Sequence, residues 1–243
     1  MWQTDPTGRE SRMHVAESLT VTSFEGFLEA QELDTLRSSL RDVLADIDRG
    51  AHSERDRGSS VHVIDGYSLT ETMTIFEPAG RAETTALPDE AAKLLALASE
   101  RAVPRLRRFL PSARTVSDWI LVSYGVGQYI TPHIDLAHND DDPNHPKLAG
   151  IGVPLTPADE YEGGEFFVET TASPSIWAGE HNGVPYTRPD CDESAEWFRS
   201  LRRTRWQARA QAGDALLYGS QLTHGTTPVT AGRVTKVIGF VLA

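Results

Sequence analysis

Three residues in the C-terminal half have the types and spacing of a metal-binding triad. His133 and Asp135 are separated by one residue, and His224 follows much later in the chain. Two histidines and one carboxylate form the facial triad that holds non-haem Fe(II) and leaves coordination positions open for substrate and oxygen. Arg233, nine residues after His224, adds a fixed cation that can bind a carboxylate through two parallel hydrogen bonds. Together these residues predict an iron enzyme with an anionic co-substrate.

The spacing of His133 and Asp135 requires an extended backbone. Residues two apart on a strand point to the same face, so both side chains can reach one ion. Thr131 precedes Pro132, and the residue before a proline disfavours helix. A mixture of histidine and carboxylate suits Fe(II) better than a structural zinc site, which usually closes with four ligands.

The third ligand is selected by its setting, because several other histidines are available. These are His138, His145 and His181. A turn at Gly213 and Asp214 leads into an apolar run at 215–218, and His224 and then Arg233 follow. This order predicts a hairpin with the histidine at the far end of its first strand, followed by a strand that begins near the arginine.

The composition is that of an acidic globular chain. Its 243 residues include 23 Lys and Arg against 35 Asp and Glu, a net charge of −12, which repels nucleic acid and anionic membranes. No run of about 18 apolar residues predicts a membrane span, and residues 1–19 lack the apolar region of a secretory signal. Cys191 is the only cysteine, so no intrachain disulfide can form, and a cytoplasmic location is expected.

The N-terminal half is predicted to be mainly helical. Apolar residues spaced three and four apart over 33–47 predict a helix. Residues 61–77 alternate in part between apolar and polar and predict strands around a turn at Gly66. A second helix is predicted to begin near Pro88 and to break or kink at Pro104.

The C-terminal half is predicted to consist of short strands. Their predicted positions are 119–122, 151–155, 165–169, 215–218 and 234–242. Residues 173–205 are richer in Pro, Trp and charge, and we expect an insertion there with a short helix at 193–201. Helices followed by strands predict a single α+β domain, mainly β, in which helices pack on a sandwich or barrel. Within it we expect 1–18 to be flexible, 19–116 to support the core, and 117–243 to form it.

Four motifs of the C-terminal half occur in a fixed order. They are YGVGQYITPHID at 124–135, EGGEF at 162–166, GDALLY at 213–218 and HGTTPVTAGR at 224–233. They resemble the metal-binding and core strands of the 2-oxoglutarate/Fe(II)-dependent dioxygenases, and are most similar to the prolyl 4-hydroxylase-like branch. The resemblance covers roughly residues 117–243, about half of the chain.

This resemblance implies a double-stranded β-helix, or jelly-roll, core. It also implies an enzyme that uses Fe(II) and O2, takes 2-oxoglutarate as co-substrate, and is stimulated by ascorbate. His133, Asp135 and His224 would bind the iron. Related halogenases replace the carboxylate with a small residue, so the presence of Asp135 disfavours halogenation.

The resemblance also implies a co-substrate site. Arg233 would bind the distal carboxylate of 2-oxoglutarate, and Tyr124 would hydrogen-bond the same carboxylate, although a packing role for this tyrosine is the alternative. Thr235 lies on the same side of a strand as Arg233 and could assist it. Lys236 is an alternative cation, on the opposite face by strand parity.

The substrate is predicted less directly. Three acidic residues, Asp140–Asp142, follow the metal pair, so a cationic small molecule would suit the local charge, whereas a solvated acidic loop is the alternative. We expect a monomer or homodimer that hydroxylates a small molecule in specialised metabolism, with 173–205 as a lid, a cover or a subunit contact. The alternatives are a peptide prolyl hydroxylase and, in another class, a non-catalytic metal-binding jelly roll.

Overall fold

The computed structural model describes residues 16–48, 66–135, 147–169 and 205–243, together with 180–181, 184–185, 196 and 200. The helices lie in the N-terminal half, as the sequence predicts. They are a 3-10 turn at Glu17–Leu19, α1 at Ala30–Ser39, α2 at Arg41–Asp48, α3 at Leu69–Phe76 and α4 at Asp89–Leu106. The predicted helix at 193–201 and most of the 173–205 insertion lie outside the described residues.

Helix α3 corrects the strand predicted after the Gly66 turn, whereas residues 61–65 lie outside the described part of the chain. Met73 and Ile75 are two apart, which favoured a strand, but the segment begins with a stronger helical signal. The Ser68 side chain accepts a hydrogen bond from the Glu71 N–H, and the Glu71 carboxylate accepts one from the Ser68 N–H, which is a capping box. Helix α4 also differs from expectation, because it continues past Pro104 to Leu106.

The strands follow mainly in the C-terminal half. They are β1 at Val21–Phe24, β2 at Ala82–Thr84, β3 at Thr115–Val116, β4 at Ile120–Tyr124, β5 at Ile130–His133, β6 at Lys147–Pro154, β7 at Tyr161–Gly163, β8 at Phe166–Glu169, β9 at Glu180–His181, β10 at Val184–Pro185, β11 at Arg205–Ala208, β12 at Ala215–Gly219, β13 at His224–Thr226, β14 at Val229–Gly232 and β15 at Val234–Leu242. Each of the five predicted core strands overlaps an observed strand, and the bounds of β15 are those predicted.

Two antiparallel sheets form the predicted jelly roll. The large sheet has the order β1-β12-β6-β15-β4-β2, with β3 also paired to β15, and the small sheet has the order β11-β8-β13-β5. The N-terminal strands β1 and β2 extend the two edges of the large sheet. The prediction of a mainly β fold with helices packed on a jelly-roll core is therefore confirmed.

The large sheet has two faces with different surroundings. On the helix face, Leu121, Val237 and Val241 join a core that includes Leu36 of α1 and Leu95 of α4. On the inner face, which is turned toward the small sheet, a second apolar cluster is built from alternate residues of the same strands. Its members include Ile120, Val122, Tyr124 and Val234. The period of two along each strand therefore assigns every side chain of β4 and β15 to one layer.

Glycine at position 150 allows the inner face to accept a large ring. A Cβ at Gly150 would lie 2.4 Å from the ring of Tyr218, on the neighbouring strand β12, whereas a Cβ at Gly152 would meet nothing closer than Ile238 at 3.9 Å. Tyr218 therefore occupies the space above Gly150. Among the described residues, no helix is long and apolar enough to cross a membrane.

Candidate metal and co-substrate site

The structure brings the three predicted metal ligands together between the two sheets. His133 ends β5, His224 begins β13, and the two residues are direct partners in the antiparallel pairing of these strands. Their ring centroids lie 4.3 Å apart. Asp135 lies 3.7 Å from His133 Nε2 through Oδ1 and 3.6 Å from His224 Nε2 through Oδ2. The three ligand atoms all lie within 4.8 Å of one another.

Backbone carbonyls orient both imidazole rings. His133 Nδ1 lies 2.7 Å from the carbonyl oxygen of Thr131, and His224 Nδ1 lies 2.9 Å from that of Leu222. Since a carbonyl can only accept a hydrogen bond, each Nδ1 must carry the proton. Each Nε2 is then left with a lone pair directed at Asp135, which is the arrangement that metal-binding histidines need.

The donor set fits a divalent cation. Asp135 is buried, and its Oδ2 receives no hydrogen bond from the residues that the structure describes. A buried carboxylate in this position is costly unless a cation balances it. Burial lowers the pKa of His224, against a smaller opposing effect of Asp135, so this ring is neutral near pH 7. Two neutral imidazoles and one carboxylate suit Fe(II) and leave coordination positions open.

Aromatic rings surround the triad. Tyr218 lies 4.3 Å from the His224 ring, and Phe166 stacks on the same ring at 5.6 Å. Phe76, the last residue of α3, meets His133 edge-on at 6.0 Å. These rings limit the access of water to the ligand atoms and restrict the movement of the imidazoles.

Lys236 is the cation that β15 presents on the inner face. Its Nζ lies 3.2 Å from Thr226 Oγ1 and 5.2 Å from the centroid of the Tyr124 ring. Burial and, to a smaller extent, the charge of Arg81 lower the pKa of Lys236 to about 7, against an opposing effect of Asp135. The ammonium group therefore lacks a full counter-charge nearby, and an anion beside it would favour its protonated form.

A cleft that is partly open to solvent lies next to Lys236. Lys236, Phe166 and Tyr218 contribute to its lining. Phe166 and Tyr218 also contact His224. Two rings that contact the triad therefore also line the cleft beside the lysine.

Arg233 and Thr235 lie on the other face of the large sheet. Arg233 Nη1 donates to Ser123 Oγ at 3.1 Å, and Ser123 Oγ also lies 3.3 Å from Thr235 Oγ1. Ser123 lies two residues after Leu121 on β4, so the two side chains are on the same face of the strand. Leu121 packs against the helices, so this is the helix face. The structure therefore does not bring these two predicted co-substrate residues to the triad. Tyr124, in contrast, is buried on the inner face.

A buried ion cluster adjoins Tyr124. Arg81 donates to Tyr124 Oη through Nη1 at 2.8 Å, and it pairs with Glu77 at 2.8 Å and with Glu83 at 2.7 Å. The side chains of all three charged residues are 5% exposed or less. The pKa of Arg81 is raised, because Tyr124, Glu77 and Glu83 together outweigh the opposing effect of burial.

Sequence reasoning identified some of these residues better than others. Lys236 was recognised as lying opposite Arg233, but parity does not say which face of a strand meets the metal. Arg81 was missed, because nothing in its local pattern indicates an edge strand that places it beside Tyr124. The acidic run at 140–142 and the histidines at 138 and 145 lie outside the described residues.

The chain is similar in sequence to a known protein family and in fold to several solved structures. Residues 21–235 match the sequence profile of the phytanoyl-CoA dioxygenase (PhyH) family. No curated protein matches the chain in sequence. AviO1 from Streptomyces viridochromogenes Tue57 has a similar structure, with 12% identity and a TM-score of 0.54 over 91% of this chain and 89% of that one.

Two further solved structures are similar to the chain. HygX from Streptomyces hygroscopicus, with nickel and 2-oxoglutarate bound, is 14% identical, with a TM-score of 0.52 over 93% of this chain and 84% of that one. A prolyl hydroxylase from Trichoplax adhaerens, in complex with a peptide fragment of the hypoxia inducible factor oxygen degradation domain, is 15% identical, with a TM-score of 0.51 over 91% and 83%. At such low identities these likenesses concern the fold.

Proposed function

The chain belongs to the phytanoyl-CoA dioxygenase family, and we propose that this 2-oxoglutarate-dependent non-haem iron dioxygenase hydroxylates a C–H bond of a small molecule. The family confirms the dioxygenase superfamily, enzyme class and cofactors predicted from the sequence, and the structural neighbours include prolyl hydroxylases, as the predicted branch implies. When bound, Fe(II) with 2-oxoglutarate and O2 supplies the oxidising chemistry, and the protein positions and shields it.

His133, Asp135 and His224 are the proposed iron ligands. The observation that carries this assignment is the convergence of their three ligand atoms within 4.8 Å in a buried site. It is supported by the carbonyl hydrogen bonds that turn both Nε2 atoms toward the carboxylate. The role of these residues is to hold the ion with fixed geometry and to leave one side of it open.

Lys236 and Tyr124 are the proposed anchors of the distal carboxylate of 2-oxoglutarate. Lys236 lies on the same side of the large sheet as the triad, faces the cleft, and has an ammonium group that a carboxylate would stabilise. Tyr124 contributes a hydroxyl next to it. This proposal replaces Arg233 and Thr235, since both point to the helix face.

The surroundings of the metal support a small substrate. Helix α3 lies against both β5 and β10, and its Phe76 packs on His133. The ring of Phe76 therefore covers one side of the His133 ligand, which favours an enclosed pocket over an open groove for an extended peptide. Succinate release with peptides but not with small metabolites would instead identify a peptide substrate.

The predicted cationic character of the substrate gains no support from the described residues. Lys147, at the start of β6, places its Nζ 3.9 Å from the centroid of the Phe240 ring. Burial lowers the pKa of Lys147, and Asp135 raises it, so this lysine is close enough to the triad to sense its charge. The cationic substrate, the specialised-metabolism setting, the cytoplasmic location and the oligomeric state all stay predictions.

An anaerobic absorbance titration tests the proposed function. Apo-protein is titrated with Fe(II) and 2-oxoglutarate, and the weak visible charge-transfer band of the chelated keto acid is followed in wild type and His224→Ala. We expect a band in the wild type and none in the variant. Succinate release is then measured with small metabolites and with peptides. An absence of the band in wild type would favour the non-catalytic metal-binding jelly roll instead.

A further inference from the structure

The guanidinium group of Arg81 contacts three partners. Nε faces Glu77 at 2.8 Å, Nη2 faces Glu83 at 2.7 Å, and Nη1 donates to the Tyr124 hydroxyl oxygen at 2.8 Å. Glu77 follows α3, and Arg81 and Glu83 belong to the edge strand β2 and its approach. The N-terminal support region therefore reaches into the inner face beside the co-substrate cleft.

This contact decides how the Tyr124 hydroxyl can act. Because Arg81 N–H occupies one lone pair of the oxygen, the phenol proton must point away from Arg81. Tyr124 also makes a hydrogen bond with Thr226, whose Oγ1 in turn lies 3.2 Å from Lys236 Nζ. The polar chain therefore continues from Arg81 through Tyr124 and Thr226 to Lys236.

The charges of this cluster indicate a role beyond stabilising the contact between β2 and β4. Burying an arginine with two carboxylates is costly, and apolar residues of similar volume often replace such clusters without loss of stability. Here the arginine and both carboxylates are at least nine-tenths buried. Arg81 also acts electrostatically on Lys236, and the two cations lie 5.7 Å and 5.2 Å from the centroid of the Tyr124 ring.

We propose that Arg81 is a positioning residue for the co-substrate, which it serves by holding the Tyr124 hydroxyl as a hydrogen-bond donor toward the carboxylate bound at Lys236. Glu77 and Glu83 fix Arg81 in turn. This inference rests on the proposed 2-oxoglutarate site at Lys236 and Tyr124. It adds a residue of the N-terminal half to a site otherwise built from the jelly roll.

The test compares two keto acids in the holoenzyme. 2-Oxoglutarate has a distal carboxylate, whereas 2-oxobutyrate chelates Fe(II) in the same way but has none. The Kd of each is measured anaerobically from the charge-transfer band in wild type, Arg81→Lys and Tyr124→Phe. We expect Arg81→Lys to weaken 2-oxoglutarate about tenfold, which is the effect of one hydrogen bond to a charged group, and to leave the Kd of 2-oxobutyrate unchanged.

The combined variant Arg81→Lys/Tyr124→Phe shows whether Arg81 acts through the tyrosine. We expect it to bind 2-oxoglutarate no more weakly than Tyr124→Phe alone, because both changes remove the same interaction. Equal weakening of both keto acids, or full additivity of the two substitutions, would overturn the proposal in favour of a structural ion cluster.

A second variant covers the case in which Arg81→Lys does not fold. Arg81→Gln/Glu77→Gln/Glu83→Gln removes all three charges of the cluster together, so none of them stays buried without its partner. The same selective loss of 2-oxoglutarate affinity is expected, and an unchanged ratio of the two Kd values would contradict the role of Arg81. Failure of the proposed function itself would be distinct, since wild type would then show no band with either keto acid.

Discussion

Polar side chains of β15 and of Arg233, just before it, lie on both faces of the large sheet. Arg233 and Thr235 lie on the helix face, where Ser123 contacts both of them. Lys236 lies on the inner face, next to Tyr124 and the cleft that leads to the triad. Three polar residues within four positions thus serve different layers. The difference teaches that a cation after the distal histidine can serve the metal site only if its side chain lies on the same face of the sheet as the metal ligands.

The largest expected effect comes from removing a metal ligand on the inner side. His224→Ala should reduce Fe(II) affinity and turnover by more than about 100-fold, because even the loss of a group that merely orients a ligand typically costs 10–100-fold. Iron content and succinate formation measure this. Thr235→Val on the helix face is the control and should retain both. Full iron binding by His224→Ala would mean that the triad is assigned incorrectly.

A second comparison uses two glycines of β6 on the inner face. Gly150→Ala places a Cβ 2.4 Å from the Tyr218 ring, so that ring must shift from its position against His224. We expect a loss of about 1–3 kcal/mol in the free energy of unfolding, as for an overpacked core, and weaker iron binding. Gly152→Ala, with its nearest neighbour at 3.9 Å, should be mild. Denaturant unfolding measures the free energy of unfolding of both variants. Equal losses in Gly150→Ala and Gly152→Ala would contradict the packing argument.

The pH dependence of 2-oxoglutarate binding tests whether the charged form of Lys236 binds the co-substrate on the inner face. Its pKa of about 7 means that the unliganded lysine loses its proton as the pH rises above that value, whereas a bound carboxylate requires the protonated form. The Kd should therefore increase about tenfold for each pH unit above about 7. Titrations between about pH 6.5 and 8.5 measure this, and Lys236→Arg should flatten the profile, because a guanidinium stays charged. A flat wild-type profile would exclude this lysine as the anchor.

The smallest effect is expected on the helix face. Thr235→Val removes the contact with Ser123 Oγ, a buried hydrogen bond of 3.3 Å that should contribute about 1 kcal/mol to stability. The Kd of 2-oxoglutarate should not change. Thermal unfolding and the charge-transfer titration together check this, and a selective loss of co-substrate affinity would show that the two faces are not separate.

The sequence predicted those parts of the site that depend on the geometry of a single strand or on the order of neighbouring elements. The spacing of His133 and Asp135 was enough to place both on one face, and the order of turn, strand and histidine was enough to select His224. The bounds of β15 were also predicted, since its apolar run extends without a break in pattern. These features depend on residues that are neighbours along the chain.

The remaining features depend on contacts between distant segments. Parity placed Lys236 and Arg233 on opposite faces, but which face meets the small sheet depends on how the whole barrel closes. Arg81 lies 43 positions before Tyr124, and only the pairing of β2 with β4 brings the two together. Helix α3 was predicted as strands because the spacing of Met73 and Ile75 was weighted above the capping box at Ser68 and Glu71.

The most direct test of the two-face account is a parallel titration of 2-oxoglutarate into Lys236→Met and Arg233→Met, each loaded anaerobically with Fe(II). Loss of a charge-assisted contact should weaken binding by about 10–100-fold in Lys236→Met, whereas Arg233→Met should stay within about threefold of wild type. Binding of 2-oxobutyrate should be retained in both and shows that the metal site is intact. Weak binding by Arg233→Met with near-normal binding by Lys236→Met would contradict the account.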